Sequence, residues 1–236
     1  MTDGTAIQRD RGLVDEGTEF FLAQVRRLDG TTIREASALP GWTRGHVITH
    51  VARNGDGMAR LAAWARTGVE EPMYSDEHPR NRDIEEGAGR GLEEQETDVR
   101  DSARRLSAAF DALSGAAWSA RVRTATREME ASQLPWMRAR EIWLHAIDLN
   151  AGAGDKDLPD SFAARLLSDL VRDLSDRPGV PALVIQAGDH ELEVPGSGEP
   201  VHVTGTPAAV ACWLSGRAGA VSRPDGAPLP PLPAWL

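Results

Sequence analysis

The stretch REIWLHAIDL, residues 140–149, constrains the fold more than any other part of the chain. Ile142, Trp143, Leu144, Ala146, Ile147 and Leu149 make it apolar around nearly the whole helical circumference, the pattern of a helix enclosed by its neighbours. Glu141 and His145 nevertheless stand four residues apart, so they share one face of that helix. A buried glutamate is costly unless it is paired or holds a metal ion.

Three further helical segments supply the neighbours. Residues 6–28 carry Leu13, Val14, Phe20, Phe21, Leu22 and Val25 on an amphipathic pattern that ends at Gly30. After the break at Pro40 and Gly41, Thr43 is a good N-cap for a helix running to Thr67, with Gly68 as its stop. The prolines and polar residues of EEPMYSDEHPRN mark a loop. A long third helix is expected over residues 83–113, rich in Glu and Arg at i, i+4 spacing, and the fourth over residues 134–149. RVRTATREMEA, residues 121–131, reads equally as two short extended pieces around a turn. Four such helices predict an antiparallel four-helix bundle.

The pattern changes at GAGDKDLPDS. One helix is expected over residues 162–174. PALVIQAG, HELEVPG and PVHVTG then read as short strands, and TPAAVACWLSGRAG as a helix with Thr206 as N-cap and Pro207 in its first turn. The expected fold class is therefore α+β, with a helical bundle over residues 1–152 and a small α/β domain over residues 153–236. In the Pro-rich tail, Trp235 and Leu236 are expected to pack back on the body.

Composition narrows the function classes. A net charge of −10 argues against a nucleic-acid partner. Neither an apolar leader nor a run long enough to span a bilayer is visible, so no membrane partner is expected and the expected location is the cytoplasm. Cys212 is the single cysteine, so any thiol chemistry needs a thiol from elsewhere. On its apolar helix Cys212 reads as a small buried hydrophobe.

In the second helix, Val47, Val51, Met58 and Leu61 form an apolar stripe, and His50 lies beside it. An i, i+4 Glu/His pair plus a histidine from a facing helix is a reasonable divalent-metal constellation, and three ligands leave a coordination position open. The residues alone leave a second reading standing: Glu141 paired with Arg138 or His145, and His50 a satisfied core histidine. His46 is an outside candidate for the same site. His78, His190 and His202 read as surface or structural, Trp42 and Trp143 as packing residues. Asp148 could orient a ligand or an arginine.

At these residues the chain resembles the mycothiol-dependent maleylpyruvate isomerase family, within the larger group of DinB-like metal-binding four-helix bundles. The resemblance rests on LPGWTRGHVITHVARN at 39–54, ARTGVEEPMY at 65–74 followed by PRNRDIEEGA, and ASQLPWMRAREIWLHAIDL at 131–149. It continues through WLSGRAG at 213–219 and the closing PAWL. It implies His50, Glu141 and His145 as ligands of a divalent metal such as Zn²⁺, and mycothiol as thiol cofactor. It implies Arg217 as the essential C-terminal arginine that binds a substrate carboxylate or the developing enolate oxygen. It places Tyr74, Arg80 and Asn81 in the matching loop, as substrate-pocket residues.

The implied reaction is the cis–trans isomerisation of maleylpyruvate to fumarylpyruvate, a step of gentisate breakdown. Adding a thiolate to the double bond makes rotation easy, and eliminating it leaves the trans isomer. A site between the two domains is then expected, in a monomer or small homo-oligomer. Two other functions stay open: a mycothiol-dependent S-transferase acting on other electrophiles, and a non-catalytic metal-binding module closed by a fourth ligand such as His46.

Overall fold

The computed structural model describes residues 4–74, 80–124, 127–233 and 235. His78, part of the loop expected around it, and Leu236 lie outside the described residues. The chain divides into two compact units, Met1–Gly152 and Ala153–Leu236.

The first unit is mostly helical. Helix α1 (Gly4–Val25) packs on α6 (Leu134–Asp148), and α2 (Arg44–Thr67) packs on α4 (Leu92–Asp111) and on α6. Phe21, Val25, Val47, Val51, Leu61, Val99, Leu106, Ile142 and Trp143 are buried among them. The α1–α6 approach is close because Gly17 has no side chain: a Cβ there would stand 2.7 Å from both Ile142 and the Trp143 indole nitrogen. That nitrogen donates instead to Leu13 O at 3.0 Å. Among the described residues no helix is long and apolar enough to cross a membrane.

The third expected helix is two helices. Helix α3 (Arg80–Ala88) begins earlier than the spacing suggested, and GRG at 89–91 separates it from α4. Gly91 takes the extended N-cap conformation, φ −67 and ψ 157. This break lets α3 lie on α2, where Gly87 meets Thr49 with no room for a Cβ. A four-residue helix, α5 (Gly115–Trp118), sets the Trp118 ring 5.7 Å from that of Phe110. The ambiguous segment is an antiparallel pair, β1 (Arg121–Arg123) and β2 (Glu128–Glu130), with Val122 and Met129 facing the core.

The second unit holds α7 (Asp160–Ser175), strands β3 (Pro181–Ala187), β4 (His190–Val194) and β5 (Ser197–Gly205), and α8 (Pro207–Leu214). The sheet order is β4-β3-β5, with β3 antiparallel to β4 and parallel to β5. Helix α8 is capped by Thr206, whose hydroxyl accepts from Ala209 N at 3.1 Å. It stops at Leu214, short of the extent expected, so SGRAG lies beyond the helix. Cys212 is fully buried. Trp235 is buried too, and its carbonyl accepts from Arg177 at 2.9 Å.

Candidate metal centre

Helix α2 starts where Thr43 caps it and ends where Gly68 adopts φ 73, a left-handed conformation that glycine takes without strain. Between these ends the stripe of Val47, Val51 and Met58 turns inward and carries His50 with it; His50 is 4% exposed. Helix α6 packs on the same side of α2 and brings Glu141 and His145 to it. The His50 and His145 rings meet edge-on, 4.7 Å between centroids.

The three side chains converge. Glu141 Oε2 lies 3.0 Å from His50 Nε2 and 3.4 Å from His145 Nε2. One ligand atom from each residue falls within 4.8 Å of the others. Donors held about 2.1 Å from a tetrahedral ion stand roughly 3.4 Å apart, and the two carboxylate–imidazole separations, 3.0 and 3.4 Å, lie near that spacing. Two imidazoles and one carboxylate are donors that suit a borderline divalent cation, and they fit such an ion.

The two histidines are prepared differently. His145 Nδ1 donates to Asp148 Oδ2 at 2.9 Å, and Asp148 is buried one turn further along α6. Burial alone would lower the His145 pKa, but Asp148 and Glu141 together raise it. His50 instead accepts a hydrogen bond on Nδ1 from the Arg80 guanidinium, 3.2 Å away, and donates from Nε2 to Glu141. Burial brings its pKa down to about 4. Burial would raise the Glu141 pKa, yet hydrogen bonds from His145 and His50 hold it well below the usual carboxylate range.

Arg80 is thus brought into the site by the first turn of α3. Its Nη1 donates to Asn81 Oδ1 at 3.2 Å, and its guanidinium sits 5.7 Å from the centre of the Trp42 ring. Tyr74 interacts with Arg80, and burial raises its phenol pKa, so it stays protonated. Asn81 is exposed. Trp42, expected only to pack, lies against His50 at 5.6 Å between ring centres and under Arg80. His46 does not join the trio. Its Nδ1 faces the Thr43 cap and its Nε2 lies 3.3 Å from Glu85, so its position is set by the helix start.

Of the two partners the second reading offered Glu141, His145 lies within 3.4 Å, whereas Arg138 donates to Val51 O and Asn54 Oδ1, both at 2.8 Å. Arg217 belongs to the second unit. It is half-buried just beyond α8, and its Nη1 donates to Ser215 O at 2.8 Å.

Residues 14–150 match the family model described as the mycothiol maleylpyruvate isomerase N-terminal domain. Two solved structures are similar over nearly the whole chain. One is a crystal structure of the mycothiol-dependent maleylpyruvate isomerase, with TM-score 0.89, 32% identity and 97% of each chain covered. The other is a histidine-to-alanine variant of the mycothiol-dependent maleylpyruvate isomerase, with TM-score 0.88 at the same identity and coverage. Among curated protein sequences none matches this chain.

Proposed function

Because the chain belongs to the mycothiol-dependent maleylpyruvate isomerase family, we propose that it converts maleylpyruvate to fumarylpyruvate with mycothiol as its thiol cofactor. The observation that carries this reading is the convergence of His50, Glu141 and His145 in a chain similar to that isomerase over 97% of its length. Those three residues would hold a divalent cation such as Zn²⁺, which when bound supplies Lewis acidity that keeps a thiol ionised at neutral pH. Mycothiol would supply the sulfur that adds to the double bond and leaves after rotation.

The chain's own residues set the conditions for this chemistry. Asp148 fixes the His145 ring, so that Nε2 is the nitrogen turned toward Glu141. Glu141 carries the negative charge that balances a cation. Maleylpyruvate is a diacid and needs cationic partners that stay charged. Arg80 offers one beside the trio, steadied by Asn81 and Trp42, and Tyr74 offers a protonated hydroxyl next to it. Arg217 is proposed to bind a substrate carboxylate or the developing enolate oxygen, a task for a planar cation with paired donors.

The test is a spectral assay. Protein, a divalent metal, mycothiol and maleylpyruvate together should give the fumarylpyruvate absorbance change, and omitting mycothiol or stripping the metal should abolish it. Thiol consumption by halogenated electrophiles, with maleylpyruvate untouched, would replace this reading by a transferase.

A further inference from the structure

Helix α6 carries Arg138, Glu141 and His145 on one face, at i, i+3 and i+7. Arg138 stands one turn before the first of the two ligands and is completely buried. Its guanidinium turns to α2, where Nη1 donates to Val51 O and Asn54 Oδ1, both at 2.8 Å. Val51 follows His50 in the chain, and Asn54 lies one turn beyond His50 on the same face. The two helices therefore meet in successive layers, Arg138 with Asn54 and then Glu141 with His50.

Helix α2 leaves a slot for this side chain. A Cβ at Gly55 would stand 3.4 Å from Arg138 Nη2 and 3.2 Å from Ser102 Oγ of α4, so glycine keeps the space open. Ser102 and Asn54 are buried around it.

The arrangement is a poor device for stability alone. Burying a guanidinium is costly, and burial brings the Arg138 pKa down only to about 10, so the group stays charged. Its hydrogen-bond acceptors are two neutral oxygens, and Nε and Nη2 meet none among the described residues. Apolar side chains of similar volume would fill such a layer at less cost. What apolar packing does not supply is register. Two directed hydrogen bonds fix how far α6 slides along α2, and hence where Glu141 stands against His50.

We propose that Arg138 is a positioning residue for the metal centre: by clasping Val51 and Asn54 it sets the α2–α6 register that holds His50 and Glu141 at ligand spacing. This role rests on the reading of the trio as a metal site.

The test is metal binding by the full chain. Chelator competition gives the Zn²⁺ affinity, and the visible bands of bound Co²⁺ report the ligand geometry. Arg138→Met combined with Asn54→Leu makes the layer apolar. That double variant should keep its helical circular dichroism, bind Zn²⁺ at least tenfold more weakly and show altered Co²⁺ bands. Asn54→Ala removes one of the two bonds and should change both readouts in the same direction. Asn54→Asp keeps the acceptor and should restore the unaltered bands. Val122→Ala opens a gap in the core at the β1–β2 pair, and should lower the melting temperature while leaving affinity and bands unchanged. Unaltered affinity and bands in the folded double variant, an equal loss in Val122→Ala, or Asn54→Asp behaving as Asn54→Ala would each overturn this role alone. If the double variant does not fold, Asn54→Ala decides, and full affinity there overturns the role. An unaltered chain that bound neither ion would remove the metal centre itself, and this role with it.

Discussion

His145 Nδ1 stands 2.9 Å from Asp148 Oδ2, one turn along the same helix and inside the core. The contact fixes which imidazole nitrogen faces Glu141. Rotating or re-tautomerising the ring would break a buried charge-assisted hydrogen bond. Asp148→Asn keeps the size and loses the charge. Its metal affinity, measured by chelator competition, should fall on the order of 10- to 100-fold. Unchanged affinity would show that Asp148 serves packing alone.

Arg80 acts on His50 in the opposite sense. A nitrogen that accepts from a guanidinium bears no proton, so the neutral ring carries its proton on Nε2, the atom that faces Glu141. A cation taking Nε2 needs the other tautomer, and then Nδ1–H points at another donor. If the trio holds a cation through Nε2, as proposed, Arg80 would leave Nδ1 and become available to a substrate carboxylate. Arg80→Ala should therefore bind Zn²⁺ more tightly, on the order of tenfold, while raising the KM for maleylpyruvate. Weaker metal binding in this variant would contradict the arrangement.

These two contacts show what a sequence can and cannot disclose here. The trio was legible because both of its signals are local: an i, i+4 pair on an all-apolar helix, and a histidine on an apolar stripe. The cap at Thr43 and the stop at Gly68 were legible for the same reason. The split between α3 and α4 was not. Charged i, i+4 pairs run on both sides of GRG, and isolated glycines weaken a helix only modestly. The approach of Arg80 to His50 joins residues thirty apart and depends on that split. Spacing left Arg138 and His145 both open as partners of Glu141, because i−3 and i+4 lie on the same helix face. The structure buries Arg138 against α2 instead.

The His50 environment also gives the metal-free protein a pH dependence. The folded pKa, about 4, lies below the ordinary 6.5, so across that window the unfolded chain binds more protons. His50 thus favours folding fully above about pH 6.5, and its contribution falls away as pH drops toward 4. Between about pH 7 and pH 5 it should cost about 2 kcal/mol of unfolding free energy. The raised pKa of His145 acts in the other direction, adding stability below 6.5 that is lost as pH rises through the folded value. Urea unfolding of metal-free His50→Gln isolates the first effect: its loss between those two pH values should be smaller than that of the unaltered chain.

Gly17 tests the frame that positions the site. A methyl group there would collide with Ile142 and with the Trp143 indole nitrogen, which flank Glu141 and His145 on α6. Gly17→Ala should destabilise the first unit by about 1–3 kcal/mol through overpacking. It should also weaken metal binding, because α6 must shift to admit the methyl. A thermal melt gives the first number, and the same chelator competition gives the second. A variant with an unaltered melting temperature would mean that α1 and α6 are not packed as closely as described.

Substituting Arg217 is the test that should separate metal binding from turnover. The trio draws all its donors from α2 and α6, and Arg217 donates none of them. Arg217→Ala should therefore retain a full equivalent of metal. If the guanidinium holds a carboxylate or a developing enolate, the loss belongs to the transition state as well as the ground state. The kcat/KM for maleylpyruvate should then drop by about 100-fold or more. Arg217→Lys keeps the charge but not the paired donors, so it should recover only part of that activity. Metal analysis beside the kinetics decides the matter: an Arg217→Ala protein that purified without its metal would move Arg217 from substrate binding to the integrity of the centre.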